Sequence, residues 1–574
     1  MKSTIKRYGI SFMLFASLLP IHSYASAYSP PIAPFPIGIH WPPPPSQTSN
    51  AAYKDIKDMN ANFIVGGNGL DTFAKNDAAL ASAAANGLKV LVQDLRTSPP
   101  SVFANGNKPT DSEIDDVVQH YKTNSALQGY VLVDEPPATS MPGLGYAMER
   151  MRQQDPAHMT FVNLYPNTAE PAGANLGLYD FTGELVSSSH RVGQTFKTKP
   201  GQTTISTIQM WIDRSSWSIG EELTLKLWDS PAKATLIAQN TLTGATTNSP
   251  RFALNATVTG NTSYYMELTH NGVGDNSIGW VVHSKSGINW FRDGEAYVNG
   301  TAIDADFWYT VNQNVKEGSY EDYVYRWVSQ RPDVLAFDHY PFLQSGFSDL
   351  YYENLEIIRR QSQIGGIDFW SYIQAVGYTP ANIKAPTQNE MRYQIYTNLA
   401  YGAKGIIYFT YMTPGSYGET GFHDGLVALD GTKNASYNWA ANLNAEVLKL
   451  GPTLMKLKSN AVYHTGSLPN ATQALPDDMF WQVTDASKPT IVSTFTGDNG
   501  VKYVMVVNRD TSNARTLTFS LPFKPGSVKE VSKSTGAEVS TNYNPSTGIL
   551  SSSFAPGEGR LYAIHSDCIC PNRP

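Results

Sequence analysis

Two stretches place acidic side chains where a chain can do chemistry. The first is Gly129-Tyr-Val-Leu-Val-Asp134-Glu135-Pro136, an apolar run that stops in two adjacent carboxylates and a proline. The second is Val334-Leu-Ala-Phe-Asp338-His339-Tyr340. Apolar runs without alternation read as strands buried on both faces, as in parallel sheets. A carboxylate at the carboxyl end of such a strand stands where barrel enzymes keep their reacting groups. Most Asp-Glu pairs are solvated surface charge, but the strand before this one and Pro136-Pro137 after it leave little room for that. Glycosidic cleavage needs a proton on the leaving oxygen and a carboxylate facing the developing cation. Glu135 fits the acid, because Asp134 and Asp338 nearby would oppose its ionisation. Asp338 fits the second carboxylate, a base that activates water. Strands four and six are not neighbours, so the spacing predicts a gap wide enough for that water and an inverting outcome.

These groups need a frame, and the chain supplies one. Strand patterns at 36–41, 62–66, 88–94, 129–135 and 159–165 alternate with helical patterns at 51–59, 77–86, 111–122 and 143–154. Gly87 reads as a helix C-terminal cap, and Thr110 with Glu113 as a capping box. The rhythm resumes with helices at 320–330, 349–364, 390–401 and 435–450, and strands at 334–340, 369–374 and 405–411. Eight βα units predict an α/β fold, a (β/α)8 TIM barrel. The interruption has short alternating segments such as 209–213, 223–228 and 263–268, the texture of an inserted β-sandwich. Strand-like runs at 479–483, 490–495, 503–507 and 516–520, with a hairpin turn at Asp498-Asn-Gly500, predict a C-terminal all-β domain. The expected boundaries are a leader at 1–27, the barrel at 28–179 and 316–455, the insert at 180–315, the C-terminal sandwich at 456–566 and a tail at 567–574.

With eight strands closed, their carboxyl ends converge on one mouth. Besides Glu135, Asp338 and Asp134 as the catalytic set, His40, Trp41, Asp94, Asn163, Tyr165, His339, Tyr340, Gln374 and Tyr411 are expected to contact substrate. The loops at 376–387 and 413–424 would shape it further, through Tyr378, Tyr417, Phe422 and His423. In the insert, Trp211, Trp228, Trp280, Trp290 and Trp308 could form a sugar-binding face, with core packing the competing reading.

Composition agrees with this picture and narrows it. Aromatic residues make up 11% of the 574 residues and charged residues 16%. Aromatic faces stack on sugar rings while Tyr and Trp keep a polar handle. A formal net charge of −7 argues against nucleic acid or an anionic membrane as partner. Lys2, Lys6 and Arg7 precede an apolar run, Ile10 to Leu19, and Ala25-Ser26-Ala27 offers a small-x-small cleavage site. That is a signal peptide, too short to span a bilayer, and predicts a secreted or periplasmic product with no membrane span. The two cysteines, Cys568 and Cys570, exclude a disulfide framework or a cysteine zinc site. No His-Glu-x-x-His, calcium loop or phosphate loop stands in the sequence, so the expectation is no metal ligands and no cofactor.

The run Val131-Leu-Val-Asp134-Glu135-Pro136 resembles the Asn-Glu-Pro motif of clan A glycoside hydrolases. Gly405-Ile-Ile-Tyr-Phe-Thr-Tyr411 resembles the strand-eight segment of their β-galactosidase-like members, where an aromatic floors the sugar site. The resemblance covers residues 36–166 and 316–450. It implies a (β/α)8 barrel with Glu135 as acid/base, acting on an oligo- or polysaccharide. Asp134 stands where the motif has asparagine, and Gln374 stands where the family has its strand-seven nucleophile glutamate. A neutral amide cannot be that nucleophile. Two other readings follow: a non-catalytic carbohydrate-binding protein on a degenerate barrel, and a polysaccharide lyase with His339 and Tyr340 as base and acid and Arg96 neutralising a uronate.

Overall fold

The computed structural model describes residues 33–565 apart from 105–106, 173–181, 214–216, 245–247, 275–278, 284–289 and 317. The expected leader, both cysteines and the Trp280 side chain lie outside the described residues. Eight parallel strands close on themselves: β1 (Ile37–Ile39), β2 (Phe63–Val65), β3 (Lys89–Gln93), β4 (Leu127–Asp134), β5 (Met159–Leu164), β6 (Leu335–Phe337), β7 (Phe369–Gln374) and β8 (Gly405–Phe409). Around them stand α1 (Asn50–Asp58), α2 (Phe73–Ala85), α3 (Asp111–Tyr121), α4 (Met141–Gln154), α5 (Tyr320–Ser329), α6 (Tyr351–Gly365), α7 (Gln388–Tyr401) and α8 (Ala435–Leu454). This is the predicted TIM barrel.

Local signals explain where the helices begin. Thr110 and Glu113 form the capping box at the head of α3, and Thr387 with Glu390 forms a second at α7. One expectation fails: α8 does not stop at Leu450 but runs through Pro452 to Leu454. Pro452 removes one hydrogen bond from the last turn, and the Lys404 ammonium holds that end by donating to the carbonyl of Leu454 and, at 2.6 Å, to that of Leu457.

The barrel has two apolar layers. Phe63, Val65, Leu91, Val131, Met159, Phe161, Ala336, Trp370, Tyr372 and Ile407 fill the lumen. The outward side chains, Tyr130 and Leu132 among them, pack on the helices. Strands β4 and β5 approach so closely at Gly129 that an added Cβ would lie 1.9 Å from the Met159 carbonyl oxygen. Further along the pairing slips: Val131 faces Phe161, but Asp134 faces Asn163. One extra residue in β4 is a β-bulge, and it leaves both Leu132 and Val133 in the helix-facing layer.

The insert leaves the barrel after β5 and returns at α5. It is all β, in sheets of six, three and four strands around its own core. Its described tryptophans are core or partly buried rather than a single open face. Trp308 is fully buried and its indole N–H donates to Asp322 of α5 at 2.9 Å. Trp290 lies half-buried under Arg326, 5.2 Å from the ring centre. Trp211 packs on the insert core, and the indole nitrogen of Trp228 is buried.

The C-terminal domain pairs a six-stranded sheet with a three-stranded one. Ile491, Met505, Val507, Leu561 and Ala563 of the larger sheet share one continuous core with Met391, Ile395 and Leu399 of α7. The turn at Asp498–Gly500 forms, with Gly500 in the left-handed region at φ 79°. The strand expected at 479–483 shrinks to Gln482–Val483. Among the described residues no helix is long and apolar enough to cross a membrane.

Candidate active site

Strand parity decides which side chains reach the mouth. Side chains alternate along a strand, so residues two apart share a face. Counting from the lumen residues Phe161, Ala336, Trp370 and Ile407, the inward positions at the ends are Asn163, Asp338, Tyr372 and Phe409. On β4 the bulge resets the count, so Asp134 pairs in register with Asn163. Glu135 follows in the left-handed region at φ 47°, uncommon for a residue with a Cβ, and its N–H donates to the Asn163 carbonyl at 2.9 Å.

The result is a carboxyl pair. Glu135 and Asp338 are hydrogen-bonded to each other. Burial first, then the charges of Asp338 and Asp134, pushes the Glu135 pKa far above the usual carboxylate range. Burial and Asp134 also raise Asp338, against hydrogen bonding from Tyr340 and Glu135. Two carboxyls in contact cannot both ionise, so the pair holds a proton at neutral pH. Inverting enzymes separate their carboxyls by roughly 6.5–9.5 Å to admit water; in the free chain Glu135 and Asp338 are in contact instead.

The surroundings are aromatic and polar. His40 packs against Tyr372 at 5.6 Å, Phe409 at 5.7 Å and Trp41 at 6.1 Å. Burial lowers the His40 pKa, with Asp134 opposing, so the imidazole is neutral. Tyr340 stacks on Phe409 at 5.5 Å. Tyr165 is half-buried, and the charges of Glu135, Asp134 and Asp338 act on its phenol after burial itself. Asp134 is exposed and accepts from Asn163 at 3.0 Å. Beyond them the loops after β7 and β8 pair through Gly377–Tyr378 and Phe422–His423, with Tyr378 stacked on Phe422 at 4.1 Å. Tyr417 is exposed, and its hydroxyl fills the space that a side chain at Gly69 would need.

Four expected contacts fall elsewhere. Asp94, one position past Gln93, is out of phase: it binds Arg96 at 2.9 and 2.7 Å and Tyr121 of α3 at 3.2 Å. His339, one position past Asp338, is out of phase as well, with one ring nitrogen 2.9 Å from Asn354 and the other 2.9 Å from Ser348. Gln374 is in phase but fully committed, bonding the backbone of Phe342 at 2.9 and 2.8 Å and the Lys384 carbonyl at 2.7 Å. Tyr411 points to the helix layer, where Tyr437 and Asp55 are the charged groups acting on its phenol. His339 and Arg96, which the lyase reading needs, both have protein partners here. Sequence reasoning missed Tyr372 and Phe409, which counting by twos from Trp370 and Ile407 would have found.

Three proteins are among the solved structures of similar fold. They are a β-galactosidase from the psychrophilic Marinomonas ef1 (9% identity, TM-score 0.37, 72% of this chain and 60% of that one), a glycoside hydrolase family 5 protein from Bacteroides vulgatus ATCC 8482 (11%, 0.40, 94% and 91%) and a β-galactosidase from Bacillus circulans sp. alkalophilus (8%, 0.42, 92% and 99%). The chain thus spans 60% of the length of the Marinomonas enzyme. No family model and no curated protein matches the sequence. At such identities the likeness speaks to the fold alone, which the closed strand order already defines.

Proposed function

We propose that this chain is an exported glycoside hydrolase in which Glu135 is the proton donor and Asp338 its carboxylate partner. What supports the reading is the burial of Glu135 against Asp338 and beside Asp134, which raises its pKa. A general acid must hold its proton at working pH, and burial beside Asp338 and Asp134 keeps Glu135 protonated. In the free chain the pair is closed, so a sugar ring must part it. Glu135 then gives its proton to the leaving oxygen, and Asp338, freed of its hydrogen bond, faces the positive charge that develops on the ring. Water completes the cleavage, activated by whichever carboxylate is ionised at that point. The stacked rings Tyr340–Phe409 and Tyr378–Phe422 offer apolar faces for sugar rings. No step calls for a metal or cofactor. The export part of the reading rests on residues 1–27.

One observation favours a second reading: Gln374 leaves β7 without a carboxylate, as in a barrel that binds glycan without turning it over. A single experiment separates the two. Reducing ends are measured from a panel of oligo- and polysaccharides with wild type and Glu135→Gln. Release by wild type and its loss in the variant supports the hydrolase. Binding with no release from any glycan overturns it.

A further inference from the structure

Gln374 stands inward at the end of β7 and is fully buried. Both hydrogens of its amide are placed. Nε2 donates to the Phe342 carbonyl at 2.8 Å and to the Lys384 carbonyl at 2.7 Å, and Oε1 accepts from the Phe342 N–H at 2.9 Å. The strand beneath is held as well. Gln394 of α7 accepts from the Gln374 N–H at 2.8 Å and donates to its carbonyl at 3.3 Å. Only an amide can make this set of bonds. A carboxylate would turn an oxygen toward two carbonyl oxygens, and a thioether would offer them no donor.

The two loops tied in this way carry rings of the mouth. Phe342 follows Tyr340 by two residues, with the stiff Pro341 between them. Tyr340 stacks on Phe409 at 5.5 Å, and its phenol donates to Asp338. Lys384 follows Ile383, whose N–H and carbonyl pair with the backbone of Tyr378 at 3.1 and 2.9 Å. Tyr378 stacks on Phe422 at 4.1 Å, and Phe422 meets Phe409 edge-on at 6.3 Å. Two routes from one amide therefore converge on Phe409. Each of the four rings is partly exposed, so a ligand can reach it.

We propose that Gln374 is a positioning residue: it holds Tyr340 and Tyr378 so that, with Phe409 and Phe422, they form one preset surface for a sugar chain beside the Glu135–Asp338 pair. This rests on the glycan-cleaving reading above, and it gives the strand-seven position a part in binding rather than in bond cleavage. A surface fixed before the ligand arrives spares the cost of ordering it on binding.

The test uses the full chain carrying Glu135→Gln, so that no probe is turned over. Calorimetry measures binding of β-1,4-linked tetrasaccharides of glucose, mannose and galactose, well below the melting temperature. Tyr378→Ala should weaken binding roughly three- to tenfold, the worth of one aromatic contact. Gln374→Met should weaken it by at least as much. With Gln374→Met present, adding Tyr378→Ala should change affinity less than about twofold, because the ring is already displaced and the two sites are coupled. An amide with a merely structural role would lower the melting temperature yet leave the Tyr378 effect whole, and that result overturns the proposal. So does unchanged binding in Gln374→Met, or no binding of any tetramer. If Gln374→Met does not fold, Tyr378→Ala alone decides, and unchanged affinity there overturns the proposal. With Glu135 intact, Gln374→Glu should release no more reducing ends than wild type; a gain would mean that the position still reacts, against the proposal. The hydrolase reading stands or falls separately, on release by wild type from the wider panel.

Discussion

The two ends of the barrel are built from the same strands and treat polar groups in opposite ways. At the amino-terminal end they are satisfied. Asp333 accepts from the Thr160 N–H at 2.8 Å, its hydroxyl at 2.9 Å and Arg152 at 2.9 Å. Asn62 closes the start of β1, accepting from the Ile37 N–H at 2.9 Å and donating to the Phe35 carbonyl at 2.7 Å. At the carboxyl-terminal end His40 Nδ1, Asn163 Oδ1, Asp338 Oδ1 and the Tyr372 hydroxyl are buried without partners, around the Glu135–Asp338 pair. Buried polar groups are normally paired. One end is therefore tied by direct hydrogen bonds, while the other packs polar atoms around the carboxyl pair without pairing them all.

Substitutions can break this contrast. The largest effect is expected from Glu135→Gln, which should lower turnover about 10²–10⁴-fold, the usual worth of a general acid. Full turnover in a folded variant, followed by reducing-end release, would remove the pair from the reaction. Next comes Asp333→Ala, which strands two buried Thr160 donors and removes one of the partners of Arg152, whose bonds to Glu149 and the Arg331 carbonyl remain. It should cost about 1–3 kcal/mol in urea unfolding, while the folded fraction keeps its turnover.

Asp338→Asn should do the reverse, adding about 1 kcal/mol of stability as like charge is removed from the mouth, with turnover lost. The same pair gives stability a pH dependence whose sign follows from proton binding. The folded chain holds a proton on Glu135 that the unfolded chain loses in the ordinary carboxylate range. Stability from this pair is therefore full below that range and is lost as pH rises from there through the raised folded values of both carboxyls. Scanning calorimetry should show a midpoint that declines toward alkaline pH, and a flatter profile in Glu135→Gln. The smallest effect is expected from Tyr411→Phe. Its phenol faces the helix layer, so kcat/KM should stay within about twofold, as for a change that touches no transition-state contact.

Much of this was legible in the sequence. Apolar runs and helical periods marked out eight βα units, and the insert and C-terminal domain showed in their alternating segments. Glu135 and Asp338 were found because an apolar run ending in an acid is a strong local signal. What stayed hidden needed register. Asp94 and His339 look as reactive as their neighbours until parity turns them toward the helices. Tyr411 reads as functional because its hydroxyl looks reactive in isolation, and Phe409 carries no such signal. Gln374 was seen as a lost nucleophile, whereas its contacts with Phe342 and Lys384 depend on two loops folding toward each other. The closed contact between Glu135 and Asp338 depends on a one-residue slip that no local pattern announces.

That slip has a consequence for anyone moving this chemistry to another scaffold. Grafting an acid onto the fourth and sixth staves of an idealised barrel would not reproduce the arrangement. Without the additional residue that displaces the fourth stave against the fifth, the grafted acids would emerge on a different side of the wall. The irregularity is part of the recipe and has to be copied along with the side chains.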